Sequence, residues 1–310
     1  MKRFLKYVVL FVVPVLCLLA LGEAVVRHYP TSYALKHSLA RERCDATRTL
    51  VFGNSRAYYG VLTDSLDHAL NLANVSQTLE YDYHYLESCF AAHSSNLRNV
   101  IVQLDYSNVF DPPLEQSPWD AYRCTYYRLH TGYAKHSLLS RYGFELFNLE
   151  QFKRKLPLAL TYAFTGKCQL DCDSTGFGIT TTRRFDAGRM SHATANGLDR
   201  YNAINLDDMD YNVAYVHRIG EFCKAHNVRM ILVSMPIWRE LYRQKGHREE
   251  PLLAKLVEEC RTRYGAEFRD YTADPRVKDE DFVDAVHLSP LGAAHFTRIL
   301  DEDFHLDSAS

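Results

Sequence analysis

The run Thr49-Leu50-Val51-Phe52 ends on Gly53 and then presents Asn54, Ser55 and Arg56. It limits the fold more than any other stretch. An unbroken apolar and β-branched run reads as a strand buried on both faces, the habit of parallel sheets covered by helices. Gly53 permits a sharp turn with φ values that other residues resist. Ser55 then falls just past the strand's carboxyl end, where open α/β sheets hold their ligands. Backbone N–H groups after such a turn can face an anion. A serine there is either a helix cap or a nucleophile with part of an oxyanion hole beside it.

The same rhythm continues. Leu70 to Val75 reads as a second strand, closed by the polar turn Ser76-Gln77-Thr78. Leu79 to Ala92 has helical spacing, and Tyr81, Tyr83, His84 and Tyr85 read as packing on that helix rather than as a site. Val100 to Leu104 is a third strand that runs into Asp105-Tyr106-Ser107-Asn108. Crossovers of this length imply parallel pairing. Asp111-Pro112-Pro113 breaks the pattern. The region 111–207 reads as a mostly helical insertion over the active face, with a Gly/Thr-rich stretch from Ser174 to Thr182 and Arg183, Arg184 and Arg189 nearby. A helix over Asp208 to His226, a strand over Val228 to Ser234, a helix over Glu249 to Tyr264 and a strand over Glu267 to Tyr271 restore the alternation. Ser289 and Pro290 then open a closing helix, Leu291 to Phe304. The expected fold class is α/β with a mainly parallel sheet over residues 49–306, after a linker at 27–48.

Residues 1–26 read differently. Lys2, Arg3 and Lys6 precede an uncharged run from Tyr7 to Leu21, and Ala24-Val25-Val26 prolong its apolar character. Leu21-Gly22-Glu23-Ala24 is a poor cleavage site, so an uncut transmembrane anchor is the favoured reading over a cleaved signal. The short basic tail places the N-terminus inside and the body on the extracytoplasmic side, periplasmic or on the outer face. A net charge of −2 leaves no basic footprint for nucleic acid. With Cys17 in the anchor, an odd number of cysteines remains, so they cannot all pair within one chain. The Cys168/Cys172 spacing allows a small disulfide loop and makes a poor zinc site.

Asp284 and His287 stand three residues apart at the entry to the closing helix. A carboxylate so placed can hold one imidazole nitrogen while the other faces a serine, as a general base requires. Ser, Asp and His in that order across an α/β pattern form a workable triad.

With Gly53-Asn54-Ser55, Asn71-Leu72-Ala73-Asn74 and Asp284-Ala285-Val286-His287-Leu288 followed by Gly292, the chain resembles the SGNH/GDSL hydrolases. Its nearest flavour is the membrane-anchored branch with the DltD-like and alginate-acetylation proteins. The resemblance implies a flavodoxin-like three-layer αβα sandwich, with Ser55 as nucleophile, His287 as base and Asp284 as its orienting partner. It implies an oxyanion hole from the Ser55 and Ser76 amides, with Asn108 the nearest substitute for the absent Gly-x-Asn-Asp block. Arg56 and Asn74 are the candidate substrate contacts; the other reading of Arg56 is a salt bridge at a helix start. Asn54 stands where the family's Gly-Asp-Ser has aspartate. The implied activity is hydrolysis or transfer of an acyl ester, an O-acetyl group first, on a cell-envelope glycan, with no metal or organic cofactor. Partners would be the acylated glycan, the membrane through the N-terminal helix, and a membrane-bound acyltransferase. The rival reading is a catalytically silent envelope protein that binds glycan or such an acyltransferase through its aromatic insertion.

Overall fold

The computed structural model describes residues 1–92, 95–133, 143–179 and 204–306, with Asp186, Gly188, 190–192, Thr194, Leu198 and Asn202 between the last two ranges. One five-stranded sheet contains β1 (Thr49–Phe52), β2 (Ala69–Asn71), β3 (Asn99–Gln103), β4 (Arg229–Ser234) and β5 (Glu267–Asp270) in the order β2-β1-β3-β4-β5. Every pairing is parallel, with Val51 opposite Asn71 on one side and Ile101 on the other. β1 and β3 are buried at every position, as continuous apolar runs require. At the edge, β5 exposes Glu267, Arg269 and Asp270, charges that discourage further pairing. The second strand is shorter than its apolar run. Asn71 turns its amide onto the carbonyls of Ala57 (2.9 Å) and Val61 (2.8 Å) and accepts from the Ala73 N–H (3.0 Å), an Asx turn that ends the ladder.

The helices are α1 (Lys2–Arg27), α2 (Ser32–Arg43), α3 (Ser55–Gly60), α4 (Leu79–Tyr85), α5 (Tyr106–Val109), α6 (Cys124–Thr131), α7 (Leu149–Thr165), α8 (Leu206–Ala225), α9 (Arg239–Gln244), α10 (Glu250–Tyr264) and α11 (Pro290–Phe304). α8 packs against α4 and α10, and α11 against α3. α4 passes into a π-helical turn at Leu86–Phe90. Residues 27–48, expected as a linker, contain α2.

The chain divides into two compact units, Met1–Ala34 with Ala121–Leu170, and Leu35–Asp120 with Asp171–Ser310. The region 111–207 is therefore not one insertion. Its middle joins the first unit because α7 has an apolar face that α1 covers: Val26, Tyr29, Phe152 and Ala159 form a small core. There the buried Glu23 carboxylate accepts the N–H groups of Glu145 (3.0 Å) and Leu146 (2.9 Å). α1 is one helix long and apolar enough to cross a membrane. The Cys168–Cys172 loop is not formed, both thiols being free. Arg183, Arg184, Arg189 and the end of the Gly/Thr-rich stretch, residues 180–182, lie outside the described residues. The sheet and all the expected catalytic residues belong to the second unit.

Candidate active site

In the order β2-β1-β3 the chain reverses direction of growth between β1 and β3, and the turns after those two strands flank the crevice where parallel sheets bind ligands. Gly53, after β1, has φ +146°, and a Cβ there would stand 2.7 Å from Gln103 Cβ and Oε1. Only glycine fits this close approach. Asn54 caps α3: its side chain accepts from the Arg56 N–H (3.1 Å) and donates to Ser107 Oγ (2.9 Å). Ser55 thus becomes the first residue of a short helix, and its own N–H has no intrahelical acceptor.

The last loop meets it. His287 Nε2 lies 2.9 Å from Ser55 Oγ, and His287 Nδ1 lies 2.9 Å from Asp284 Oδ2. Asp284 Oδ1 also accepts the N–H groups of Val286 and His287, each at 2.9 Å. Burial pushes the Asp284 carboxyl up, but the ring and charge of His287 and these two N–H groups outweigh it and leave the acid below its ordinary value. A charged Asp284 keeps a proton on Nδ1, which turns the Nε2 lone pair toward the serine hydroxyl. The loop is fixed by Val283 N–H to His287 O (3.0 Å), by Ser289 N–H to Asp281 O (2.7 Å) and by the Ser289 cap on Gly292 (3.0 Å). Tyr59 packs edge-on against the imidazole with centroids 5.4 Å apart.

Beside Ser55 opens a cavity of about 560 Å³. Ser55 and Ser76 line it, and among the described residues neither backbone N–H has an acceptor. Ser76 adopts φ +56°, the left-handed turn conformation, at the end of the Asn74 to Gln77 turn. Tyr106, Phe110, Leu114 and Trp119 supply an apolar wall, with Asn205 and Asp208 among the polar groups.

Two expected roles do not survive the hydrogen bonding, and a third is constrained by it. Arg56 is 3% exposed and turned inward: it pairs with Asp105 at 2.8 Å, donates to the carbonyls of Met235 and Pro236, and reaches no substrate. The salt-bridge reading of Arg56 is the one this geometry matches. Asn108 lines the cavity; its amide nitrogen donates to Gln103 O and its oxygen accepts the Asp105 N–H (3.1 Å), so the side chain closes the cap of α5 and keeps one amide N–H uncommitted. Asn74 is buried and outside the cavity wall; its oxygen accepts the Val75 N–H (2.8 Å) and its backbone N–H donates to Gly53 O (3.2 Å), which makes it a brace for the turns. Sequence reasoning passed over Gln103 and Asp105. Gln103 accepts the Asn54 N–H (3.2 Å) and donates to Asp105 Oδ2 (3.1 Å) and Ser107 Oγ (3.0 Å). Asp105 Oδ2 accepts the Met235 N–H (3.2 Å). The visible signal was a polar residue in the otherwise apolar Val100 to Leu104 run.

The chain matches no protein-family model and no curated protein.

Proposed function

We propose that the chain is a membrane-anchored, extracytoplasmic serine esterase or O-acyltransferase of the SGNH/GDSL type, acting on an acyl ester of a cell-envelope glycan. The observation that carries the reading is the hydrogen-bonded relay Ser55–His287–Asp284 opening on a cavity with two uncommitted amides. The all-parallel order β2-β1-β3-β4-β5 is that of a flavodoxin-like αβα sandwich and supports the fold side of it.

In this reading His287 Nε2 takes the Ser55 proton as Oγ attacks the ester carbonyl. The Ser55 and Ser76 amides receive the oxyanion, and Asp284 steadies the imidazolium. His287 then returns the proton to the departing alcohol. Water or a sugar hydroxyl, deprotonated by the same imidazole, next attacks the acyl-serine and releases the acid or the new ester. An aromatic wall with amide and carboxylate groups around it suits the apolar faces and hydroxyls of sugar rings. α1 would hold the body at the membrane, its basic first turn inside.

The test is labelling of the full-length, detergent-solubilised protein with a fluorophosphonate probe. The wild type should label, and Ser55→Ala and His287→Ala should not. A folded wild type that remains unlabelled transfers the weight to a non-catalytic glycan-binding role, with Ser55 as a helix cap.

A further inference from the structure

The aromatic wall of the cavity suits a sugar face or an apolar chain alike, and its place beside Ser55 decides which half of the ester it receives. The helices around the Ser55 turn fall into two packed groups. α3 packs against α11, which follows the loop carrying His287, while α4 and α5 pack against α8. The cavity belongs to the second group. Its wall comes from the turn before α4, from α5 and the segment after it, and from the start of α8. Ser55 lines it; His287, Asp284 and Tyr59 do not.

The stereochemistry of serine acyl transfer gives that position a meaning. In the tetrahedral intermediate the former carbonyl carbon carries Ser55 Oγ, the oxyanion, the departing alcohol and the acyl chain. His287 Nε2, 2.9 Å from Ser55 Oγ, must hand its proton to the alcohol oxygen, so the alcohol leaves on the His287 side. The oxyanion goes to the Ser55 and Ser76 amides. The acyl chain is the group left, and the cavity is the space left.

The size of the cavity then measures the acyl group. Its volume of about 560 Å³ is nearly four times the roughly 150 Å³ of an apolar cavity that holds one benzene ring. The acetyl group implied by the family resemblance would fill little of it. The enclosed wall is apolar, with Tyr106, Phe110 and Leu114 buried, whereas Trp119, 84% exposed, stands at the mouth. No Lys, Arg or His side chain lines the cavity among the described residues, so an acyl group ending in a carboxylate would find no counter-ion there. The floor is already built: Gln77 donates to Leu72 O (3.0 Å) and to the wholly buried Asp82 carboxylate (2.5 Å), which braces the Ser76 turn.

We infer that the cavity is an acyl pocket, and that the ester carries an uncharged, mainly apolar acyl group of about six carbons or more, with its alcohol outside the cavity on the His287 side. The inference rests on the catalytic reading above.

The experiment uses 4-nitrophenyl acetate, butyrate and hexanoate on the full-length protein in detergent, and follows the second-order rate constant for release of 4-nitrophenolate. In this step the bond from Ser55 Oγ to the acyl carbon forms, the bond to the aryl oxygen breaks, and His287 takes the serine proton. The leaving group is constant, so the series varies the acyl half alone. Each methylene that leaves water contributes up to about fourfold, and the rate should rise by about tenfold or more from acetate to hexanoate. Leu114→Trp fills the pocket and should slow the hexanoate by about tenfold more than the acetate. In the reversed series, acetates of ethanol, butanol and hexanol, the same variant should slow every member alike. A wild-type rate that is flat or falls with acyl length overturns the inference alone, and so does fluorophosphonate labelling of Ser55 without reaction of any acyl ester. The wild-type series decides the matter even where Leu114→Trp fails to fold. Absence of both ester reaction and fluorophosphonate labelling overturns the catalytic reading and this inference with it.

Discussion

Replacing Arg56 with methionine separates the two roles open to it. The guanidinium and the Asp105 carboxylate are each 3% exposed and 2.8 Å apart. Removing one member of a buried pair strands the other charge, at a cost of roughly 3–5 kcal/mol. Asp105 keeps other donors in the variant: the Ser107 N–H (2.9 Å) and Oγ (2.7 Å), the Met235 N–H (3.2 Å) and Gln103 (3.1 Å). The loss should therefore fall near the lower end, about 3 kcal/mol. For a unit of this size each kcal/mol moves the Tm by roughly 2–4 °C, so Arg56→Met should melt about 6–12 °C lower. Thermal unfolding followed by tryptophan fluorescence reads this. Adding Asp105→Asn removes the stranded charge, so the double variant should lose less than the two single losses combined. The activity loss should be equal for anionic and neutral esters. An unchanged Tm with a KM raised for anionic esters alone would refute the argument and restore Arg56 as a substrate contact.

The remaining predictions concern the turns and the loop. Asp284→Asn cannot hold the proton on Nδ1, and labelling should fall by roughly three to four orders of magnitude; a loss under tenfold contradicts the relay. Because Asp284 sits below its ordinary value, it stays charged through mildly acid pH. In Gly292→Ala the new Cβ would lie 2.1 Å from the Asp281 carbonyl oxygen, backbone that cannot swing aside. α11 should then shift from the loop carrying His287, with both Tm and labelling reduced; a variant normal in both shows that the loop tolerates the displacement. Asp82 has a folded-state value raised to about 7 from an ordinary carboxylate value. Between those values the folded protein holds a proton that the unfolded chain has released, so stability falls as pH rises from about 4 toward 7. Asp82→Asn should be more stable than the wild type at pH 8, by a margin that shrinks toward pH 4. A Tm difference independent of pH contradicts this.

What could be read from the sequence was what local chemistry decides. The Thr49 to Phe52 strand and its turn were legible because an apolar run followed by glycine permits little else. The closing helix was legible because Ser289 and Pro290 supply both the cap and the first turn. The Asp284/His287 pair could be named, while its reach to Ser55, 232 residues earlier, is a product of the parallel topology. Arg56, Asn74 and Asn108 were assigned outward roles because a sequence shows a polar side chain without its partner. Arg56 turns inward because Met235 and Pro236, 179 and 180 residues on, follow β4 with carbonyls facing it. The same blindness divided the region 111–207 wrongly, since only packing reveals that α7 belongs with α1. Asp82 left a faint mark, an acid at a position of α4 where the helical period asks for an apolar residue.

The inward-facing polar groups also say how the site would choose a substrate. Gln103, Asp105, Arg56, Ser107 and Asn108 bond or pair with one another across the carboxyl ends of β1, β3 and β4. That network fixes the Asn54 cap, and through it the first turn of α3, before any ligand arrives. Amides already held in place need no reorganisation as charge develops on an oxyanion, which is where preorganised donors contribute most. The cost is that most of the polar capacity of these side chains is spent within the network. In the proposed reading, discrimination among esters would fall to the wall of Tyr106, Phe110 and Trp119 and to the turn at Ser76. An aromatic wall reads shape and apolar faces more sharply than charge, so variation at Trp119 should change which alcohol is accepted while leaving the reactivity of Ser55 toward a small phosphonate intact.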